Sequence, residues 1–297
     1  MDIFIYTYAG DAALLPLCLE YASRAGRVVL VDDAAAPATD AAGALAMGAA
    51  EYVRSEFERR GNLNGAACVR GMLETYRDHG SASWIMQLDS DMLLFAPHVL
   101  QPREDSAVAM VGKTVGYSDA CRRERPVLYA CGGGMLLRRD MVAPMLALVD
   151  RPDIVSRIEN GKGFSDHVLT VLCRMCGGEV ELLRYEGAEL VDGVYRRVGW
   201  WRFGEDNTLC EHAAAVHVRP ENTPGNTPEE RAAAVLDAMR QVAQNWSALE
   251  VKTNDAKHDP QMRAVMADGS IGNKPPCFSV RSFQGAALTS WQQSEFN

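Results

Sequence analysis

Apolar segments with strand character alternate with helical segments in the first half of this chain, and this alternation constrains the fold more than any other feature. The run 3–8 is rich in β-branched and aromatic residues, and 14–22 then has helical spacing. A second apolar run, 27–31, is followed by a segment of helix-forming composition, 41–52. A β-α-β-α order is typical of a mostly parallel sheet flanked by helices, so we predict an α/β fold.

The same pattern continues through the middle of the chain and changes near its end. Further strands are predicted at 84–88, 107–111, 135–137, 180–184 and 214–218, and further helices after Asn64, at 141–149 and at 166–176. Thr227, Pro228 and Glu230 then form the N-cap, first turn and capping box of a late helix. After about Glu250 the sequence is polar and lacks periodicity. We predict one α/β domain over 1–220 and a C-terminal helix with an irregular tail over 221–297.

Composition limits the classes of partner and compartment. A chain of 297 residues with 47% hydrophobic content can bury a full α/β core. Its net charge of -9 disfavours nucleic-acid binding, which requires a basic face. The N-terminus does not resemble a signal peptide, and we expect no transmembrane segment and a cytoplasmic location. Eight scattered cysteines are typical of reduced thiols in a chain of this size.

Two aspartates follow directly on the predicted strand at 84–88. Asp89 and Asp91 are separated by one serine, and the apolar run 92–95 comes next. At the carboxyl edge of a parallel sheet both carboxylates can face the crevice where such folds bind ligands. Carboxylate oxygens suit Mn²⁺ or Mg²⁺, and such an ion stabilises the charge that develops on a departing nucleoside diphosphate. The pair therefore indicates a metal site for an anionic nucleotide substrate.

The order of several short motifs resembles that of the GT-A fold glycosyltransferases. These motifs are LDSDM at 88–92, CGGGMLLRRD at 131–140, FSDH at 164–167 and VHVRP at 216–220, and the resemblance covers most of residues 1–220. It implies a single Rossmann-like sheet in which Asp91 ligates the metal, Asp89 contacts the metal or the donor ribose, and His217 completes the metal shell. It also implies a hexosyltransferase that moves a sugar from a nucleoside-diphosphate donor, with UDP favoured over GDP, to a hydroxyl of a carbohydrate or other acceptor.

Candidate donor-binding residues lie at the ends of the first two strands and in a later turn. They are Tyr6, Thr7, Tyr8, Asp33 (or its neighbour Asp32), Arg60 and Asn62, together with Asp89. Each also has an ordinary structural interpretation. Tyrosines can pack in the core, aspartates can cap a turn, and a basic turn can simply be solvated.

Candidate acceptor-binding residues lie in the second half of the proposed domain. Gly133 and Gly134 belong to a triple glycine that allows close approach of the backbone to a ligand, or else forms a bulge. Asp166 and His167 are at the start of a predicted helix, where a carboxylate can act as a general base or simply cap the helix. An inverting reaction would suit Asp166 as the base, whereas a retaining reaction requires no dedicated base and would leave Asp166 a positioning residue. The C-terminal extension can cover the acceptor side or form a homodimer contact.

Two other functions remain open at the level of sequence. A haloacid-dehalogenase-type phosphatase also places two aspartates after an apolar strand and uses the first, here Asp89, as nucleophile. In those enzymes the motif usually opens the chain and is followed by Thr or Val, whereas Met92 follows it here. The second alternative is a non-catalytic nucleotide-sugar-binding protein of the same fold, which would keep the sheet without turning over a donor.

Overall fold

The structure, a computed structural model, describes residues 1–59, 65–117, 127–160, 164–183, 190–191, 194–203, 213–219 and 223–257. The strands in these ranges are β1 (Asp2–Thr7), β2 (Arg27–Asp32), β3 (Glu51–Arg54), β4 (Trp84–Asp89), β5 (Met92–Leu94), β6 (Val108–Tyr117), β7 (Val127–Ala130), β8 (Met135–Arg138), β9 (Glu179–Leu183), β10 (Leu190–Val191), β11 (Val194–Arg202) and β12 (Ala213–Arg219). The helices are α1 (Leu15–Ala25), α2 (Ala41–Ala46), α3 (Ala66–His79), α4 (Val142–Val149), α5 (Pro152–Asn160), α6 (Ser165–Met175) and α7 (Pro228–Lys257).

An eight-stranded sheet forms the centre of the molecule, with the order β3-β2-β1-β4-β8-β6-β7 and β9 paired with β6. The first four strands of this order pair in parallel, as does β9 with β6. Strand β8 runs antiparallel to both β4 and β6. The predicted α/β fold with a mostly parallel sheet and flanking helices is confirmed.

A smaller sheet, in the order β10-β11-β12-β5, carries the late part of the chain back to the end of β4. Strand β5 begins three residues after β4 ends and pairs antiparallel with β12, with His217 opposite Met92. The main-chain N–H of Val218 donates to the Asp91 carbonyl over 3.0 Å. This pairing places a residue from near the end of the fold beside the acidic pair.

The core has two parts, one on each face of the large sheet. One part packs α1, the small sheet and α7 against the sheet, with Leu19, Leu88 and Met239 among its fully buried members. The other packs α3, α4 and α6, with Tyr76 and Leu172 buried. Helix α7 thus contributes to the same core as the N-terminal half of the chain.

Several predicted boundaries differ from the structure. The segment 41–52 is wrong as one helix, because only 41–46 is helical and Glu51 begins β3, which adds to the edge of the sheet beside β2. The predicted irregular tail after Glu250 begins too early, since α7 continues to Lys257.

The capping box is confirmed, because the Glu230 main-chain N–H donates to Thr227 Oγ1 over 3.2 Å. Among the described helices, none combines the length and apolar character needed to cross a bilayer.

Candidate metal centre and active site

Asp89, Asp91 and His217 meet at the carboxyl end of β4. Asp89 is the last residue of β4, Asp91 immediately precedes β5, and His217 lies on β12 opposite Met92. His217 Nε2 lies 3.1 Å from Asp91 Oδ1 and 4.0 Å from Asp89 Oδ2. One potential ligand atom from each of the three residues lies within 4.8 Å of the others. The structure therefore brings together the three residues that the sequence suggested as metal ligands.

The chemistry of this cluster fits a small divalent cation. Two ligands at right angles around an octahedral ion with bonds of roughly 2.1 Å lie about 3 Å apart, close to the distance between Asp91 Oδ1 and His217 Nε2. Asp91 Oδ1 is buried, and its described polar contact is with His217 Nε2, which is itself a potential ligand. Two carboxylates and one imidazole are ligands that Mn²⁺ and Mg²⁺ accept.

The pKa values of His217 and Asp89 are shifted in opposite directions. Burial alone lowers the pKa of His217, but the negative charges of Asp91 and Asp89 outweigh it and raise that pKa well above its usual value. Burial alone raises the pKa of Asp89, yet the positive charges of Arg59 and His217 lower it overall. The raised pKa favours a protonated imidazole between the two carboxylates, and a cation held at this cluster would replace that proton.

Arg59 is a site residue that sequence reasoning missed. Its Nη2 donates to Asp89 Oδ1 over 2.9 Å, and its guanidinium lies 4.9 Å from the centre of the Tyr6 ring. The neighbouring candidates Arg60 and Asn62 lie outside the described residues. Arg59 directly precedes Arg60 in a polar segment of the sequence, and nothing in that segment indicates which side chain points to Asp89.

Asp11 is a second missed residue. It ends the 3-10 turn Ala9–Asp11 after β1, and its Oδ2 accepts a hydrogen bond of 2.6 Å from the Ser90 hydroxyl. Burial raises the pKa of Asp11 to about 6, and the carboxylates of Asp91 and Asp89 add to the rise. The residue between the two candidate ligands is thus anchored to the turn after β1.

Asp166 lies in the first turn of α6, next to the triple glycine. Its Oδ2 accepts a hydrogen bond of 3.1 Å from the Gly132 main-chain N–H, and its Oδ1 accepts one of 2.8 Å from the His167 main-chain N–H. Burial raises the pKa of Asp166, against the effect of these two hydrogen bonds. His167 is buried, and its ring lies edge-on to Tyr129 with centroids 5.4 Å apart.

Protein side chains fill the space over the glycines. A Cβ on Gly133 would lie 2.6 Å from His217 Nδ1, and one on Gly132 would lie 2.4 Å from Gln87 Nε2. Gly134 has φ of +85°, a conformation that favours glycine. The glycines therefore allow His217 to pack closely against the β7–β8 connection. Contact of Gly133 and Gly134 with an acceptor remains a prediction.

The donor-side candidates have different surroundings. Tyr6 is buried, with one ring face towards Arg59 and an edge-on contact to Tyr76 at 6.4 Å. Thr7 is buried and its hydroxyl donates to the Tyr8 carbonyl over 3.4 Å, while Tyr8 itself is half-buried. Asp33 is buried, and its Oδ1 accepts from the Ala35 main-chain N–H over 2.8 Å.

The alternative candidate Asp32 is fully buried in a network at the end of β2. Its carboxylate accepts hydrogen bonds of 2.8 Å from the Thr39 main-chain N–H, 2.7 Å from the Tyr52 hydroxyl and 2.8 Å from Arg54 Nη1. These contacts hold the 33–40 connection onto β3. They give Asp32 a structural role and leave Asp33 as the donor-side candidate.

No protein-family model matches the sequence, and no curated protein matches it. Solved structures similar to the chain include the galactosyltransferase LgtC in complex with donor and acceptor sugar analogs, at 12% identity and a TM-score of 0.48, covering 79% of this chain and 95% of that one. A glycosyltransferase involved in glycosylation of the major capsid of PBCV-1 has 10% identity and a TM-score of 0.45, with 79% and 98% covered. The glycosyltransferase GlyE of Streptococcus pneumoniae TIGR4 has 10% identity and a TM-score of 0.43, with 84% and 64% covered.

Proposed function

We propose that this protein is a metal-dependent glycosyltransferase that moves a sugar from a nucleoside-diphosphate sugar to a hydroxyl acceptor. The observation that carries the proposal is the cluster of Asp89, Asp91 and His217 at the carboxyl end of a parallel strand. That edge of a parallel sheet is where α/β folds bind nucleotides. In a chain with net charge -9, a cation at this cluster supplies the counter-charge that a diphosphate requires.

Asp91 and His217 would hold the cation directly, with Asp89 Oδ2 on the same side of the site. When bound, Mn²⁺ or Mg²⁺ would neutralise charge that develops on the diphosphate as the bond to the sugar breaks. UDP is favoured over GDP as the nucleotide. Thr7, Tyr8 and Asp33, at the ends of β1 and β2, are the described residues proposed to meet the nucleoside.

On the acceptor side, Asp166 is the carboxylate best situated to receive a proton from an acceptor hydroxyl. Its two oxygens are fixed by the main-chain N–H groups of Gly132 and His167, so its orientation is set before a ligand arrives. The raised pKa makes Asp166 a stronger base when ionised. A carboxylate held in this way can deprotonate a hydroxyl in an inverting reaction or orient it in a retaining one.

A donor-binding screen with and without Mn²⁺ tests the proposal most directly. Calorimetric titration of UDP, GDP and their hexose conjugates should show binding that depends on Mn²⁺ for at least one nucleotide, and chelation by EDTA should abolish it. Hydrolysis or transfer of the bound sugar, followed by release of nucleoside diphosphate, would distinguish an enzyme from a non-catalytic binding protein. Equal binding of every nucleotide with and without Mn²⁺ would refute metal dependence.

A further inference from the structure

Arg59 has two contacts that together fix one metal-ligand candidate. Its Nη2 donates to Asp89 Oδ1 over 2.9 Å, and its guanidinium lies over the Tyr6 ring at 4.9 Å. The Arg59 side chain is only 20% exposed. A planar guanidinium held between an aromatic ring and a carboxylate loses little further freedom, so it restrains its partner more than a flexible ammonium would.

The two carboxylate oxygens of Asp89 point towards different residues. Oδ1 is engaged by Arg59, whereas Oδ2 lies 4.0 Å from His217 Nε2. Rotation of the carboxylate would break the hydrogen bond to Arg59 and turn Oδ2 away from His217. Mutation of a residue that orients a metal ligand through a hydrogen bond typically changes metal affinity by about 10–100-fold.

Resting on the proposed metal-dependent function, we propose that Arg59 is a positioning residue that holds Asp89 Oδ1 and thereby directs Oδ2 into the site shared with Asp91 and His217. Neither the sequence motifs nor the ligand cluster itself includes this residue. A simple charge effect makes the opposite prediction. A nearby guanidinium repels a cation, so loss of its charge alone should tighten metal binding. Weaker metal binding after loss of the guanidinium therefore indicates positioning, whereas tighter binding indicates a charge effect.

The test is calorimetric titration of Mn²⁺ alone into the full chain and into Arg59→Met and Arg59→Lys. Methionine keeps an unbranched stem against Tyr6 but cannot donate to Asp89, whereas lysine keeps both a donor and the charge. We expect Arg59→Met to weaken Mn²⁺ binding by about tenfold and Arg59→Lys to lie between it and the parent protein. Unchanged or tighter binding by Arg59→Met would overturn the proposal.

Arg27→Met is the matched control. Arg27 also joins two strands through carboxylates, since it contacts Glu51 and lies 3.7 Å from Asp2, but it is at the opposite end of the sheet. Its side chain is 35% exposed. We expect this variant to lose some thermal stability with Mn²⁺ affinity unchanged. An equal loss of affinity in both variants would assign the effect to general destabilisation and overturn the positioning role. Failure of the parent protein to bind Mn²⁺ would instead count against the proposed function.

Discussion

Asp89 and Asp91 have the same side chain and lie one residue apart, yet their surroundings differ. Asp91 Oδ1 lies 3.1 Å from His217 Nε2, which is itself a candidate ligand. Asp89 Oδ1 is already engaged by Arg59. Because Asp91 Oδ1 contacts another candidate ligand whereas one Asp89 oxygen is held by Arg59, we expect Asp91 to be the primary ligand and Asp89 the weaker one.

Asp91→Asn should remove most metal binding while leaving the fold intact. The amide has nearly the same shape as the carboxylate but no charge. Loss of a residue that only orients a ligand can lower metal affinity by roughly a hundredfold, so loss of the ligand itself should lower it at least as much. Mn²⁺ titration and thermal unfolding of the same samples measure both effects. Asp140→Asn is a suitable control, since Asp140 is 64% exposed and pairs only with Arg138 in the contacts described. Full activity of Asp91→Asn in EDTA would eliminate the metal assignment.

A phosphatase mechanism would require Asp89 to form a phosphoryl intermediate. Its hydrogen bond to Arg59 leaves one oxygen available, and the lowered pKa of Asp89 keeps that carboxylate ionised. We nevertheless predict no beryllofluoride adduct at Asp89 and no hydrolysis of phosphate monoesters, because the adjacent Asp91 and His217 are arranged as cation ligands. Mass spectrometry after beryllofluoride or phosphate-ester treatment checks this, and an adduct at Asp89 would favour the phosphatase.

At the scale of elements, the sequence predicted the strands that end at the site but not the contacts between them. Local periodicity identified the strand before Asp89 and the helix that begins near Asp166. The apolar run at 92–95 does not by itself indicate the three-residue strand β5, and no pattern indicated β11. The distance between His217 and Asp91 depends on the antiparallel pairing of β5 with β12, a long-range contact that no local pattern encodes. The position of Arg59 likewise depends on long-range contacts, with Asp89 and with the Tyr6 ring.

Replacement of Asp32 tests whether its hydrogen bonds stabilise the end of β2. Replacing Asp32 by alanine leaves Arg54 and the Thr39 and Tyr52 donors without their shared acceptor, and loss of an acceptor for partly buried donors costs about 1–3 kcal/mol. Chemical denaturation should show that decrease in the free energy of unfolding. If Asp32→Ala instead abolished nucleotide binding with stability unchanged, Asp32 would belong to the donor site.

The same carboxylate makes stability sensitive to acid. Burial alone raises the pKa of Asp32, but hydrogen bonds from Thr39, Tyr52 and Arg54 lower it overall. A lowered pKa in the folded state contributes stability that is complete above the unfolded pKa, near 3.9, and is lost as pH falls through the folded value. The stability difference between the parent protein and Asp32→Ala should therefore shrink below about pH 4.

Helix α7 shows that the C-terminal extension shares the core of the domain that precedes it. The Trp246 indole stacks on Phe95 with centroids 4.3 Å apart, and Phe95 meets Tyr21 edge-on at 5.3 Å. Trp246→Ala should lower the free energy of unfolding by about 3 kcal/mol in a single cooperative transition. Leu45→Ala, at a residue that is 47% exposed, is the control with little expected effect. A separate low-temperature transition would mean that α7 unfolds independently.

At the scale of the whole molecule, an acidic chain places its candidate cation site where several negative groups converge. Asp11, Asp89 and Asp91 lie together with His217, and Arg59 offsets part of their charge. Anything that binds only the folded state stabilises it, by about 2.7 kcal/mol at a concentration one hundred times its dissociation constant. Mn²⁺ should therefore raise the melting temperature, and should do so much less in Asp91→Asn.

The size of this metal-dependent stabilisation should rise with pH, and the sign follows from His217. A pKa raised in the folded, metal-free protein contributes stability that is complete below the unfolded value, near 6.5, and is lost as pH increases through the folded value. Mn²⁺ binds only the neutral imidazole, so each binding event below the folded pKa releases one proton from His217 and affinity should increase by about tenfold per pH unit. Asp11, with a pKa of about 6, also titrates within this range and adds to the increase near that pH.

Two variants separate these contributions. In Asp11→Asn, Mn²⁺ affinity should still increase with pH above 6.5, because His217 is intact. In His217→Ala, that increase above pH 6.5 should disappear, and Mn²⁺ affinity should be lower at every pH. Calorimetric titration of Mn²⁺ at several pH values, in buffers with different ionisation enthalpies, counts the protons released. Release of a proton by His217→Ala equal to that of the parent protein above pH 6.5 would show that His217 does not ligate the ion. The His217 imidazole is largely enclosed, and the pairing of β5 with β12 places it beside the acidic pair. Release of a proton from His217 on Mn²⁺ binding would therefore also indicate that β5 and β12 are paired in solution.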